Sequence, residues 1–151
     1  AMAFHPDGGL LFTGCLGGVG RLWDLRVGRA IWTLPTGDTT QAGFVSAAFM
    51  PNGLLLTGGE NGLLAAWDLR RLQSAWTIPA HSALVSGLAC SSNVIATGGY
   101  DGAIRLWSPF DQRPLANLTV AHAGKCMAVG LSHGAVFSAG YDRTLKLFSP
   151  A

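Results

Sequence analysis

His81, Thr97 and Asp101 have the residue types of a general base, a nucleophile and an orienting acid, the set that activates a hydroxyl for attack in nucleophilic catalysis. The same types return as His122, Ser138 and Asp142, at identical offsets of 16 and 20 residues, and the next landmark at offset 26 is Trp107 in one copy and Phe148 in the other. A catalytic set has no reason to be copied at repeat spacing with its hydroxyls in apolar surroundings. The trio therefore reads as a structural brace, no catalytic residue is assigned, and the chain is expected not to be an enzyme.

Other groups with chemical potential also have plainer explanations. His5 and His133 lie near expected hairpin turns with no second ligand at zinc-like spacing, so neither is a metal candidate, and no cofactor or small-molecule substrate is implied. The Gly14 to Gly20 stretch lacks the GxGxxG order and leads into a strand, which argues against a phosphate cradle. Cys15, Cys90 and Cys126 are odd in number, lack CxxC spacing and sit in apolar runs; they are expected to be small buried hydrophobes in a reducing compartment. Asn117-Leu118-Thr119 matches the glycan acceptor pattern, which matters only in a secreted chain.

These residues need elements to hold them, and composition says which. Of 151 residues, 49% are hydrophobic, 12% are charged and 21 are glycine. An ordinary soluble chain has roughly a quarter charged and about 7% glycine, so this one has many short buried segments joined by tight turns, the economy of an all-β protein. The net charge of +2 names no partner. No apolar run approaches the roughly 18 to 20 residues of a membrane span, and no membrane association is expected.

Segments ending Leu22-Trp23-Asp24, Ala66-Trp67-Asp68, Leu106-Trp107-Ser108 and Leu147-Phe148-Ser149 recur at 44, 40 and 41 residues. Each aromatic follows a small-residue turn, with Gly17, Asn61, Asp101 and Asp142 all six residues upstream of it. A period of about 40 to 45 residues is that of a propeller blade. In the third unit, strands are expected over Leu84 to Cys90, Val94 to Gly98, Ala103 to Trp107 and Pro114 to Thr119, with outer strands earlier at Arg29 to Leu34 and Gln73 to Ile78. Turn signals such as Pro6-Asp7-Gly8-Gly9 and Pro51-Asn52-Gly53 separate the first strands from the second. Each unit is thus a four-stranded meander, in an array with units over approximately 1–34, 41–78, 81–119 and 122–151.

These units resemble WD repeats over essentially the whole chain. The resemblance implies an all-β WD-repeat β-propeller in which the turn Asp accepts from the His, the hydroxyl bridges and the Trp ring nitrogen donates. His81, Thr97, Asp101 and Trp107 fill those positions, as do His122, Ser138 and Asp142. Gln41 and Asn61 replace His and Asp in the second unit, Gly17 replaces Asp in the first, and Phe148 cannot donate. Ala1 aligns with Val45, Val85 and Cys126, so the chain begins within a first strand and stops after a third, giving 15 strands. Such propellers usually close with seven blades. Four would leave both edges of the array bare, and the chain is expected to be a piece of a longer protein or to have its ring completed by another polypeptide.

Several strings point more narrowly. Phe4-His5-Pro6-Asp7-Gly8, Trp23-Asp24-Leu25-Arg26 with Gly28-Arg29, Thr77-Ile78-Pro79-Ala80-His81 and Tyr141-Asp142-Arg143-Thr144-Leu145-Lys146-Leu147 resemble the last four repeats of the pre-mRNA-processing factor four family, the WD-repeat proteins of the U4/U6 small nuclear ribonucleoprotein. That resemblance implies a nuclear scaffold in tri-snRNP assembly and pre-mRNA splicing. Its partners would be U4/U6 small nuclear ribonucleoprotein subunits, pre-mRNA-processing factor three among them, with small nuclear RNA nearby. The alternative is a WD-repeat scaffold of another complex, such as a ubiquitin-ligase substrate receptor.

Partner contact is expected on the rim beside the structural turns, through Tyr100, Tyr141, Arg143, Lys125, Glu60 and Phe44, because tyrosine and arginine are enriched at interface hot spots. On the opposite rim Arg26, Arg29, Arg70, Arg71 and Arg113 could face RNA phosphates. The plainer account is that Arg26 and Arg70 pair with Asp24 and Asp68.

Overall fold

The computed structural model describes residues 1–35, 43–119 and 121–149. Gln41, expected at the His position of the second unit, lies outside the described residues. Among the described residues every regular element is a strand, and there are fifteen. Blade 1 comprises β1 (Met2–Phe4), β2 (Leu10–Gly14), β3 (Gly20–Asp24) and β4 (Arg29–Thr33). Blade 2 comprises β5 (Phe44–Phe49), β6 (Leu54–Gly59), β7 (Leu63–Asp68) and β8 (Gln73–Pro79). Blade 3 comprises β9 (Val85–Cys90), β10 (Ile95–Gly99), β11 (Ile104–Trp107) and β12 (Pro114–Leu118), and blade 4 has β13 (Cys126–Ser132), β14 (Ala135–Gly140) and β15 (Leu145–Phe148). All four sheets are antiparallel meanders in chain order.

Tight turns form where short polar side chains satisfy the backbone. Asp7 accepts from Gly9 N (2.8 Å), Asn52 from Leu54 N (3.1 Å) and Asp68 from Arg70 N (2.9 Å). The third-to-fourth strand pairing slips just before the aromatic in three blades, at Leu22/Trp23, Ala66/Trp67 and Leu106/Trp107. A bulge recurring at one register adds the same local twist to each blade. A second bulge opens the first strand between Phe44 and Ser46 and between Cys126 and Ala128. It also corrects the expected alignment of Ala1. Ala1 O accepts from Gly14 N, placing Ala1 with Ser46 opposite Gly58, whereas Phe44, Val85 and Cys126 share the position two residues earlier. The bulge absorbs the residue that a gapless sequence alignment miscounts.

Successive side chains on a strand point to opposite faces, so each blade has two. One carries the tryptophan or its equivalent. At every internal junction the face opposite the tryptophan of one blade packs on the tryptophan face of the next. Phe12 and Leu22 meet Leu55, Ala65 and Trp67; Leu56, Leu64 and Ala66 meet Ile95 and Trp107; Ala96 and Ile104 meet Val136 and Phe148. Burial on both faces explains why these strands read as continuous apolar runs. The first strands β1, β5, β9 and β13 neighbour one another along the array.

Backbone contacts also clasp adjacent blades at one rim. Gly62 O accepts from Ala80 N and His81 N, each at 3.0 Å, and Gly102 O accepts from His122 N at 3.1 Å. Both glycines have positive φ, +81° and +77°, and a Cβ would run into the His81 carbonyl at Gly62 or come within 2.6 Å of Gly124 O at Gly102. The turns after β6 and β10 therefore lock the segments that begin blades 3 and 4, and those segments carry His81 and His122.

Candidate functional site

Thr97 leaves β10 toward the tryptophan face, fully buried, and sits between two partners from different segments. Trp107 Nε1 donates to Thr97 Oγ1 at 2.9 Å, and His81 Nε2 lies 2.8 Å from the same oxygen. His81 Nδ1 is 2.9 Å from Asp101 Oδ1. The indole can only donate and the carboxylate can only accept, which orders the chain of protons. Trp107 donates to Thr97, Thr97 donates to His81 Nε2, and His81 Nδ1 donates to Asp101.

Asp101 is held by more than His81. Arg105 Nη1 donates to Asp101 Oδ2 at 2.8 Å, and the backbone of Ala103 donates to Oδ1 at 3.1 Å. Burial pushes the Asp101 carboxyl upward, but Arg105 and His81 outweigh it and hold the group well below the usual range. Burial lowers the pKa of His81, against the raising effect of Asp101 and with Arg105 adding repulsion at 2.6 Å from Nδ1, so the ring is kept neutral. Arg105 completes the network and escaped the sequence reading. Its signal was its position four residues beyond Asp101, on the strand that ends in Trp107.

The second copy is similar with substitutions. His122 Nε2 lies 2.8 Å from Ser138 Oγ and Nδ1 lies 3.0 Å from Asp142 Oδ1. Thr144 Oγ1 donates to Asp142 Oδ1 at 2.7 Å; this bond and the backbone amides of Ala123 and Thr144 hold the Asp142 carboxyl well below its usual range. Lys146, at the position of Arg105, donates to Ala121 O. In blades 1 and 2 the described residues show the bond between hydroxyl and indole. Trp23 Nε1 donates to Thr13 Oγ1 and Trp67 Nε1 to Thr57 Oγ1, both at 2.8 Å. The threonine–tryptophan bond thus occurs in three blades.

On the rim of the clasping turns, Lys125 Nζ lies 4.4 Å from the Tyr100 ring centroid, across the junction of blades 3 and 4. Tyr141 N donates to Lys125 O at 2.8 Å, and the Tyr141 ring is 75% exposed. Tyr100, Lys125 and Tyr141 are thereby contiguous. Arg143 is exposed beside them in the left-handed region (φ +64°), and Glu60 is exposed on blade 2. Phe44 is a correction: expected on this rim, it is 1% exposed and stacks edge-on to Phe12 at 5.5 Å. Its side chain fills the space over Gly14 and Gly20, which have none of their own.

The basic rim is largely self-neutralised. Arg26 grips Asp24 through Nε (3.2 Å) and Nη2 (3.0 Å), and Arg113 Nε lies 3.1 Å from Asp111. At Asp68 it is the Arg71 side chain that pairs, at 3.8 Å, while Arg70 contributes its backbone amide at 2.9 Å. Among the described residues no acid pairs with Arg29 or Arg70. His5 is occupied by Asp7 at 2.7 Å and His133 by Ser132 at 2.9 Å. Among the described residues no cluster of three or more His, Cys, Asp or Glu side chains could hold a metal. Cys126 is buried and Cys90 is half-buried, its thiol pushed up to about 11 by burial; Cys15, expected inside, is exposed because the β2–β3 turn carries it to the surface.

The WD domain, G-beta repeat family model matches residues 1–24 and 72–108. Both stretches end at a strand carrying the tryptophan of the clamp, Trp23 in one and Trp107 in the other. No curated protein matches the chain. With four antiparallel sheets in series, the architecture is that of an incomplete WD β-propeller.

Proposed function

We propose that this array of WD repeats is a non-catalytic protein-interaction scaffold whose binding surface is the rim of Tyr100, Lys125 and Tyr141. The observation that carries the reading is the internal commitment of the triad-like set. Thr97 Oγ1 is fully buried between Trp107 and His81, and both nitrogens of His81 are engaged, so the hydroxyl has no path to a substrate. A buried polar chain of this kind stabilises and specifies packing. What faces outward instead is aromatic and basic: a tyrosine braced under a lysine, a second tyrosine exposed, and Arg143 alongside. Such groups combine contact area with polar reach and suit a protein partner.

Within that class, the strings shared with the pre-mRNA-processing factor four family favour a nuclear setting. There the scaffold would hold U4/U6 small nuclear ribonucleoprotein subunits, including pre-mRNA-processing factor three, during tri-snRNP assembly. Tagged chain incubated in nuclear extract tests both levels. The splicing assignment expects U4 and U6 RNAs and pre-mRNA-processing factor three to be captured; ubiquitin-ligase subunits in their place would reject it. The rim assignment expects Y100A/Y141A to weaken capture at least tenfold, about 1.4 kcal/mol, with the thermal midpoint unchanged. Undiminished capture by that variant would discard this rim.

A further inference from the structure

On the rim opposite the clasping turns, each internal junction is reached by two residues that bracket the turn between the first and second strands. His5 N donates to Leu10 O at 2.9 Å, Met50 N to Leu54 O at 2.8 Å and Ser91 N to Val94 O at 2.8 Å, so the three pairs occupy one position in blades 1, 2 and 3. Between blades 1 and 2, the His5 ring stands edge-on to Phe49 at 5.1 Å and Leu10 packs on the same cluster. Between blades 2 and 3, Met50 is 1% exposed in a cluster with Ile95 and Trp107, and Leu54 packs against it.

In blade 3 both members of the pair are shorter. Ser91 replaces a methionine or histidine, and its hydroxyl is committed to its own turn, where Oγ accepts from Val94 N at 3.2 Å. Val94 replaces a leucine. Here a cleft of about 130 Å³ stands open between blades 3 and 4. Val94, Leu131 and Val136 line it with apolar surface, and no Lys, Arg, Asp or Glu is among the lining residues. Ser132 and His133, both exposed, also line it; His133 Nδ1 lies 2.9 Å from Ser132 Oγ, and among the described residues Nε2 makes no bond. Both walls belong to an internal junction, with blade 3 on one side and blade 4 on the other.

We propose that this cleft is a socket for one methionine or leucine side chain of a partner polypeptide crossing the rim. The molecule itself shows what fits, because Met50 occupies the same position one junction earlier and is buried there. The volume suits such a group, being close to the ~150 Å³ of an apolar cavity that takes up benzene. A charged side chain is excluded, since it would lose its water against Leu131 and Val136 without a counter-ion. At the exposed end, Ser132 and His133 Nε2 supply polar groups for the partner's backbone. An unbranched thioether adapts to an irregular cleft, which favours methionine over leucine. The site lies on the other rim from Tyr100 and stands or falls independently of it.

N-acetylmethionine methylamide, titrated into the isotopically labelled chain and followed by NMR, tests the proposal. Saturable shifts are expected at the amides of Val94, Leu131 and Gly134, with a Kd of about 1 mM for so small a probe. The leucine analogue should bind comparably, and the alanine and aspartate analogues at least tenfold more weakly. S91M and V94L each restore the blade 2 residue. Both are expected to keep or raise the thermal midpoint and to weaken the methionine probe at least tenfold; V94L, the smaller change, decides the matter where S91M overpacks. No saturable shift in the unaltered chain would overturn the proposal. So would an equal response to the alanine analogue, which would mark a water-filled crevice, or undiminished binding by a folded filling variant.

Discussion

Replacing Thr97 with valine keeps the side-chain shape and removes one oxygen, and the structure says what that oxygen holds. It accepts from Trp107 Nε1 at 2.9 Å and engages His81 Nε2 at 2.8 Å, with Trp107 8% and His81 7% exposed. Two buried polar atoms are orphaned at once. Each costs about 1 to 3 kcal/mol, so T97V should lose about 4 kcal/mol, or about 8 to 16 °C of thermal midpoint for a chain of this size. The matched control is T13V. Thr13 and Trp23 form the same bond at 2.8 Å but are half-buried, and among the described residues no histidine bonds to Thr13. Water can replace that hydroxyl, and the expected loss is about 1 kcal/mol or less. Thermal unfolding followed by tryptophan fluorescence compares the two directly. Equal losses would refute the reasoning, because they would mean that the histidine end of the network contributes nothing to cohesion.

Acid should destabilise the chain in two stages. Burial holds the His81 pKa below its ordinary 6.5, so the unfolded chain binds a proton there that the folded chain refuses, and stability falls as pH drops below about 6.5. Asp101 and Asp142 are held below the ordinary 3.8, so their contribution is present above that value and is lost on further acidification. Midpoints measured from pH 7 to pH 3 should trace this fall, and H81Q should remove the upper stage; an unchanged upper stage would assign it to another group. G102A should lower the urea midpoint more than G28A. Both positions have positive φ, +77° and +68°, a strain of about 1 to 2 kcal/mol for alanine, but only at Gly102 would the added methyl strike a neighbour, Gly124 O. Equal losses would mean that the clasp between blades 3 and 4 gives way freely.

Much of the fold was legible in the chain because a propeller blade is a local object. Its four strands are consecutive, its turns take small or Asx residues, and its period is stamped on the sequence by Trp23, Trp67, Trp107 and Phe148. The partners of His81 were legible too, since a repeat converts a contact across 16 or 20 residues into a fixed offset. Where the same local patterns were read as surface, packing decided otherwise. Phe44 follows a loop and looks like a rim residue, but glycines at positions 14 and 20, two strands away in the preceding blade, leave a hole of its shape. Arg105 stands four residues beyond Asp101, but that the two side chains meet, with Nη1 2.8 Å from Oδ2, is seen only in the folded turn and strand. Asp68 could choose between adjacent arginines, and only the turn geometry selects the Arg71 side chain.

The sequence by itself determined the period, the strand order and the polar clamp, because each arises within or between neighbouring repeats at constant separation. Only the tertiary structure decided which face of each strand is covered. Leu64, Ile104 and Leu145 occupy equivalent register positions, and whether such a leucine or isoleucine is core or open surface depends on whether another sheet lies against it. Apolar character creates the tendency to bury; a neighbour's position in space determines where that tendency is met.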